Sequence, residues 1–121
     1  DSMADSIEPL FTHKTVDEGD NVTLSCRYKP NSTTSSYLHW YRQHSKSTPE
    51  FLLFIHDTTK RKSDSIPPRL DGEVDKNNKR VDLIISSAAV SDSALYYCAL
   101  EPTVTGNPAA LYKTPDSVML Y

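Results

Sequence analysis

The sequence predicts an all-β domain of short strands, either a two-sheet sandwich or a barrel. Three observations support this prediction. Apolar and polar residues alternate with a period of two, turn-forming residues separate these stretches, and no segment has the period of a long amphipathic helix. The chain has 121 residues, of which 37% are hydrophobic and 24% are charged, and this composition suits one folded domain.

The alternation marks the candidate strands in chain order. The residues that share the inward face are Val22, Leu24 and Cys26, then Leu38 and Trp40, then Val81, Leu83 and Ile85, and finally Ala94, Tyr96 and Cys98. Turn signals lie between them at 17–20, 30–32, 47–49, 67–68 and 77–78. The stretch from Ser86 to Ser93 has room for a single helical turn at most.

Charge and composition argue against several classes of function. The net charge of −3 does not fit a nucleic-acid surface, which would carry a basic patch. The longest apolar run, 51–55, is too short to cross a bilayer, so we expect any membrane anchor to lie outside this chain. No Gly-x-Ser-x-Gly elbow occurs, three glycines leave no phosphate-binding loop, and the four histidines lack metal-ligand spacing. We therefore predict no enzyme activity, no cofactor and no metal site.

Two cysteines and two sequons indicate an oxidising compartment. Cys26 and Cys98 each end an alternating stretch, and we expect them to form a disulfide. Asn21 and Asn31 begin Asn-x-Thr sequons, which are used only in the secretory pathway, so both are candidate glycosylation sites.

The spacing around the cysteines favours a sandwich. Trp40 follows Cys26 by fourteen positions, and Tyr96 stands two positions before Cys98. In an immunoglobulin sandwich the bridge joins the two sheets, a tryptophan covers it, and a tyrosine two residues before the second cysteine forms a corner. Trp40 and Tyr96 are therefore the predicted core residues.

Longer stretches resemble a T-cell receptor variable domain, of the alpha or delta chain, in the V-set of the immunoglobulin superfamily. They are Trp40-Tyr41-Arg42-Gln43, the segment 49–53, and Asp92-Ser93-Ala94-Leu95-Tyr96-Tyr97-Cys98-Ala99-Leu100. Immunoglobulin light chains and novel immune-type receptors share parts of this pattern. One departure is the turn 44–48, which lacks the glycine that the family usually has there.

The resemblance implies a V-type two-sheet Greek-key sandwich with a role in antigen recognition. The ligand would be a peptide presented by a histocompatibility molecule, and the partner would be the variable domain of a beta or gamma chain. The location would be the cell surface, with a signalling co-receptor complex reached through parts that this chain lacks. The alternative is a non-rearranging V-type immune or adhesion receptor, whose domain acts alone or as a homodimer.

The resemblance also implies roles for individual residues. Arg69 and Asp92 would form an ion pair, although solvated surface charges are the simpler interpretation. The face that meets the partner domain would contain Tyr41, Gln43, Pro49, Phe51 and Tyr97, and its aromatic character supports an interface over ordinary strand decoration. The antigen-binding loops, near 29–37, near 56–62 and after Cys98, would contribute Asn31, Ser35, Tyr37, His56, Asp57, Thr58, Leu100 and Glu101.

The variable domain is predicted to span 1–101, which leaves 102–121 as a tail without the Phe-Gly-x-Gly motif of a joining segment. One explanation is a long third hypervariable loop that is cut short. The other is an unrearranged gene segment read through its recombination signal, because Pro102-Thr103-Val104 can be encoded by CCCACAGTG, which contains the heptamer CACAGTG. Tyr112-Lys113-Thr114 can encode an A-rich nonamer, after a spacer of about two turns of DNA.

Read-through predicts that the tail lacks the last strand of the sheet. Pro102, Pro108 and Pro115 each remove a backbone donor and would interrupt a ladder. A non-rearranging receptor would instead need its own last strand, for which 118–121 is the only candidate.

Overall fold

The alternating stretches form strands in the computed structural model, which describes residues 6–11, 13–30, 36–102 and 119–120. The strands are β1 (Ser6–Pro9), β2 (Val22–Lys29), β3 (Ser36–Gln43), β4 (Glu50–His56), β5 (Thr59–Lys62), β6 (Leu70–Asp75), β7 (Arg80–Ile85), β8 (Leu95–Pro102) and β9 (Met119–Leu120). A single 3₁₀ turn, Val90–Asp92, lies within the stretch where at most one helical turn was expected.

The strands form two antiparallel sheets, so the fold is a sandwich rather than a barrel. One sheet has the order β1-β2-β7-β6 and the other the order β5-β4-β3-β8-β9. The chain passes between the sheets after β2, β5 and β7, as in an immunoglobulin variable domain with two additional strands beside β3. The predicted V-type fold is confirmed.

The core lies where the disulfide joins the sheets. Cys26 on β2 is bonded to Cys98 on β8, 72 positions later. Trp40 stands directly opposite Cys98 in the β3–β8 register, and all three side chains are fully buried in one hydrophobic cluster. Complete removal of a large ring from water contributes several kcal/mol to the stability of the fold, at about 25 cal/mol per Å² of apolar surface.

The tail contains a strand that the read-through prediction did not include. Met119 and Leu120 pair antiparallel with Tyr96 and Leu95 at the outer edge of β8. An edge strand presents unpaired backbone groups, and the apolar run 118–121 contains no proline, so it can pair there. The expectation of no final strand is therefore wrong for these two residues.

The turn 44–48, which has no glycine, contains a residue in a strained backbone conformation. Lys46 has φ 61°, in the left-handed region that glycine occupies without steric cost. The Ser47 N–H donates to the His44 carbonyl oxygen at 3.0 Å and closes the turn. The missing glycine therefore changes the energy of this turn and leaves the sandwich unchanged.

Candidate partner-binding face and loop end

The outward face of the five-stranded sheet carries a continuous group of aromatic rings. Tyr41 on β3 meets Phe51 on β4 edge to face, with centroids 5.9 Å apart, and Phe51 lies 6.3 Å from Phe54. At the other end of the face, Tyr37 stacks on His56 with centroids 4.0 Å apart. The five rings are partly exposed, and together they form an apolar surface of the kind that partner proteins cover.

A β-bulge places Phe54 on this face, and period-two reasoning did not identify it. The β3–β4 register shifts between Trp40, which lies opposite Leu53, and Tyr41, which lies opposite Phe51. As a result Leu52 and Leu53 are both fully buried and Phe54 joins Phe51 on the outer side. The run 51–55 is apolar throughout, so alternation within β4 carried no signal of the bulge.

Tyr97 and Gln43 are joined across the same face. The Tyr97 hydroxyl donates to Gln43 Oε1 at 2.6 Å, and Gln43 Nε2 donates to the Ser47 carbonyl oxygen at 2.8 Å. These contacts orient the amide and still leave it a second N–H and a second lone pair. Pro49 is exposed directly before β4, at the same end of the sheet.

His39 and Glu101 lie between the aromatic rings. His39 Nε2 is 3.0 Å from Glu101 Oε1, within ion-pair distance but not aligned for a hydrogen bond, and the side chains are 13% and 18% exposed. Burial lowers the pKa of His39 and raises the pKa of Glu101. Burial also raises the pKa of Tyr41, and the negative charge of Glu101 raises it further.

The structure corrects the boundaries of the predicted antigen-binding loops. Leu100 lies in β8 opposite Leu38 and is 5% exposed, so its assignment to the third loop is wrong, because a core side chain cannot reach a ligand. Glu101 and Tyr37 also lie within strands rather than loops, opposite each other in the β3–β8 register.

The second loop is shorter than predicted. His56 ends β4, and 59–62 form β5, which pairs with β4. Only Asp57 and Thr58 remain in the turn, and both are exposed. Asn31 and Ser35 lie outside the described residues.

Arg69 and Asp92 form a two-pronged ion pair at the end of the sandwich that holds the 3₁₀ turn. Arg69 Nη1 and Nη2 donate to the two carboxylate oxygens of Asp92 at 2.6 and 2.9 Å. The Ala89 N–H donates to Asp92 at 2.8 Å, and the Tyr96 hydroxyl donates to the Asp92 carbonyl oxygen at 2.6 Å. The pKa of Asp92 is lowered overall. Burial alone would raise this pKa, but the hydrogen bonds from Arg69 and Ala89 and the charges of Arg69 and Arg42 outweigh burial.

The sequon at Asn21 lies on the surface. Asn21 is exposed, and its Oδ1 accepts a hydrogen bond from the Ser87 N–H at 3.0 Å. A glycan is attached through the amide nitrogen, so this hydrogen bond does not compete with it. Glycosylation of Asn21 stays a prediction, and Asn31 lies outside the described residues.

The end of the sandwich that holds Asp92 also contains an open cavity of about 330 Å³, whose apolar lining includes Val16, Val22, Leu24 and Ile85. Within the described ranges, no group of histidine, cysteine and carboxylate side chains could hold a metal ion. The described part of the chain also contains no helix long and apolar enough to cross a membrane.

Comparison with known proteins identifies similar chains. The immunoglobulin V-set domain model matches residues 12–113. Human T cell receptor alpha variable 5 is 34% identical over 84 residues, which cover 69% of this chain and 70% of that protein. The mouse T-cell receptor alpha chain V region CTL-F3 is 40% identical over 99 residues, with 79% and 69% covered. Human T cell receptor alpha chain MC.7.G5 is 30% identical over 103 residues, which cover 85% of this chain but only 36% of that longer protein.

Proposed function

Because this chain belongs to the T-cell receptor variable domains of the immunoglobulin V-set family, we propose that it binds antigen together with a second variable domain. Domains of this family are extracellular recognition parts of cell-surface receptors and not enzymes. The proposed partner is the variable domain of a beta or gamma chain. The proposed ligand is a peptide presented by a histocompatibility molecule.

The aromatic face of the five-stranded sheet is the observation that carries the proposal of pairing. Tyr41, Phe51, Phe54 and Tyr97 lie on one partly exposed surface, and aromatic residues are enriched where proteins meet. The Gln43 amide, held by Tyr97, adds a group that can both donate and accept hydrogen bonds. A partner domain would remove this apolar surface from water.

The loop end supports the proposal of ligand binding. Asp57 and Thr58 form an exposed turn at the end of β4, beyond the Tyr37–His56 ring pair. Short polar turns on a rigid sheet suit recognition, because the scaffold holds them in position. The signalling co-receptor complex, the membrane anchor and the glycans also belong to this proposal.

Sedimentation velocity tests the pairing. The domain is mixed with a panel of beta and gamma variable domains, and Tyr41→Asp and Phe51→Asp should each weaken the complex about tenfold or more, as expected for central aromatic contacts. Glu73→Lys is the control, because Glu73 is exposed on β6 of the other sheet. If both substitutions on the face left pairing unchanged, this face would not be the partner surface.

Strand β9 favours one alternative function. A non-rearranging V-type receptor needs a last strand of its own, and Met119 and Leu120 form a short one against β8. Such a receptor would act alone or as a homodimer through the same aromatic face. A stable homodimer in sedimentation of the domain without partners would favour the alternative, whereas complex formation with a beta or gamma variable domain favours the T-cell receptor role.

A further inference from the structure

The centre of the aromatic face holds two titratable groups for which pairing alone gives no role. His39 Nε2 lies 3.0 Å from Glu101 Oε1, on adjacent strands β3 and β8. Neither ring nitrogen of His39 has an aligned hydrogen-bond partner among the described residues. The histidine therefore keeps unused polar atoms at a surface that a partner domain would cover.

The surroundings of His39 are almost entirely aromatic. Its neighbours on β3 are Tyr37 and Tyr41, with ring centroids 6.4 and 5.9 Å away, and β4 contributes Phe51 at 6.5 Å and Phe54 at 6.0 Å. The charged and titratable groups near the ring are Glu101 on β8, the Tyr37 and Tyr41 hydroxyls and, beyond Tyr37, His56 with Asp57. In the described part of the chain, no lysine or arginine lies within ion-pair distance of Glu101.

The separate domain is expected to hold this pair as neutral histidine and carboxylate at neutral pH. Burial lowers the pKa of His39 and so favours its neutral form. Glu101 can remain ionised while its side chain keeps some contact with water, since it is 18% exposed. A partner that covers the face removes this water, and a buried carboxylate without a cation is strongly unfavourable.

We infer that His39 and Glu101 are a specificity-determining pair for domain pairing, which takes up one proton when a partner covers it. The inference rests on the proposed function, because it requires a variable domain on this face. The partner that fits presents an apolar or aromatic surface opposite the pair and no cation of its own. The proton then completes a His39–Glu101 ion pair inside this chain.

Proton uptake gives the pairing affinity a defined pH dependence. The separate domains bind fewer protons than the complex, so the complex becomes more stable as the pH falls. Uptake of a whole proton changes the affinity about tenfold per pH unit. The affinity should therefore rise as the pH falls below neutral, and level off where the separate domain itself becomes protonated.

Titration calorimetry with the panel of beta and gamma variable domains measures both the pairing affinity and the proton uptake. Dissociation constants are taken from pH 7.5 to 6.0, and binding heats at pH 7.0 are compared in phosphate and Tris, whose ionisation heats differ. The wild type should pair about three- to tenfold more tightly per pH unit and take up between half and one proton.

Variants separate the two groups. Glu101→Gln should remove the pH dependence and the proton uptake. His39→Phe keeps an aromatic ring but removes the imidazole. Pairing should therefore weaken at pH 7.5, and the rise in affinity should move to lower pH, because Glu101 must take up the proton itself. Glu73→Gln, which removes an exposed carboxylate from the other sheet, should behave like the wild type, and thermal midpoints verify that each variant is folded.

The outcomes distinguish this inference from the proposed function. Pairing that is tight but independent of pH, with no proton uptake, would overturn the inference alone. Uptake that persists in Glu101→Gln, or a partner arginine or lysine that proves essential for the contact with Glu101, would also overturn it. Absence of pairing with every tested domain at every pH would overturn both.

Discussion

Lys46 is a residue whose backbone conformation conflicts with its side chain. Its φ of 61° lies in the left-handed region, where a residue with a Cβ carries a cost of about 1–3 kcal/mol. Lys46→Gly should therefore stabilise the domain, by about 0.5–1 kcal/mol after the added backbone freedom of the unfolded chain is subtracted. Urea unfolding measures the gain.

The neighbouring Ser45 provides the control for this change. Ser45 is exposed in the same turn and has no positive φ, so Ser45→Gly should destabilise the domain by up to about 1 kcal/mol. If both glycine variants changed stability in the same direction, strain at Lys46 would not be the cause.

Asp92 makes part of the stability depend on pH. Its pKa is lowered in the folded domain, so its contribution is complete above its unfolded pKa, near 3.8, and is lost as the pH falls through the folded pKa. Arg69→Met removes two charge-assisted hydrogen bonds and should cost about 1–3 kcal/mol at pH 7. Urea unfolding at pH 7, 4 and 3 should show the difference between wild type and variant shrinking as the pH falls below 3.8.

A second ion pair serves as the comparison for Arg69. Lys60 lies 3.0 Å from Asp71, but both side chains are about half exposed, so Lys60→Met should cost less than about 1 kcal/mol. Equal losses in the two variants would show that burial of Asp92 adds nothing to its ion pair.

At the scale of elements, period-two alternation predicted strands but not their irregularities. The inward residues of β2 and β7 and the disulfide between β2 and β8 followed from spacing, because one buried face forces alternation. The bulge in β4 did not follow, since backbone register shifts depend on the neighbouring strand rather than on local composition. Phe51 was assigned to the partner face by the family resemblance, whereas Phe54, which the bulge brings to that face, was missed.

The contact between His39 and Glu101 was missed for a related reason. The two residues are far apart in sequence, and only the pairing of β3 with β8 brings them onto one face. Sequence reasoning placed Glu101 in a loop because it follows the last motif residue, while the ladder with β3 in fact continues to Pro102. A strand end depends on its partner strand, which the sequence pattern does not specify.

At the scale of the whole molecule, the described part of the last strand of the five-stranded sheet is short. Among the described residues β9 pairs with Leu95 and Tyr96, whereas β8 runs for eight residues. In the proposed division, residues 1–101 are the domain and 102–121 are a tail. If the tail is read-through sequence, its residues were not selected to complete the sheet. A joining segment would supply a strand that pairs along more of β8.

This difference predicts that a replaced tail stabilises the domain. A chain in which a joining segment with Phe-Gly-x-Gly follows Glu101 should form additional ladder hydrogen bonds, each contributing about 0.5–1.5 kcal/mol. Its thermal midpoint should therefore exceed that of the natural chain by several degrees, since about 1 kcal/mol shifts the midpoint of a domain this size by roughly 4–8 °C. A grafted segment with proline at each alternate position is the control, because it has the same length but cannot donate to the ladder. Equal midpoints for the natural and the grafted chain would mean that the tail already completes the sheet, which would remove the physical support for read-through and favour a receptor that needs no joining segment.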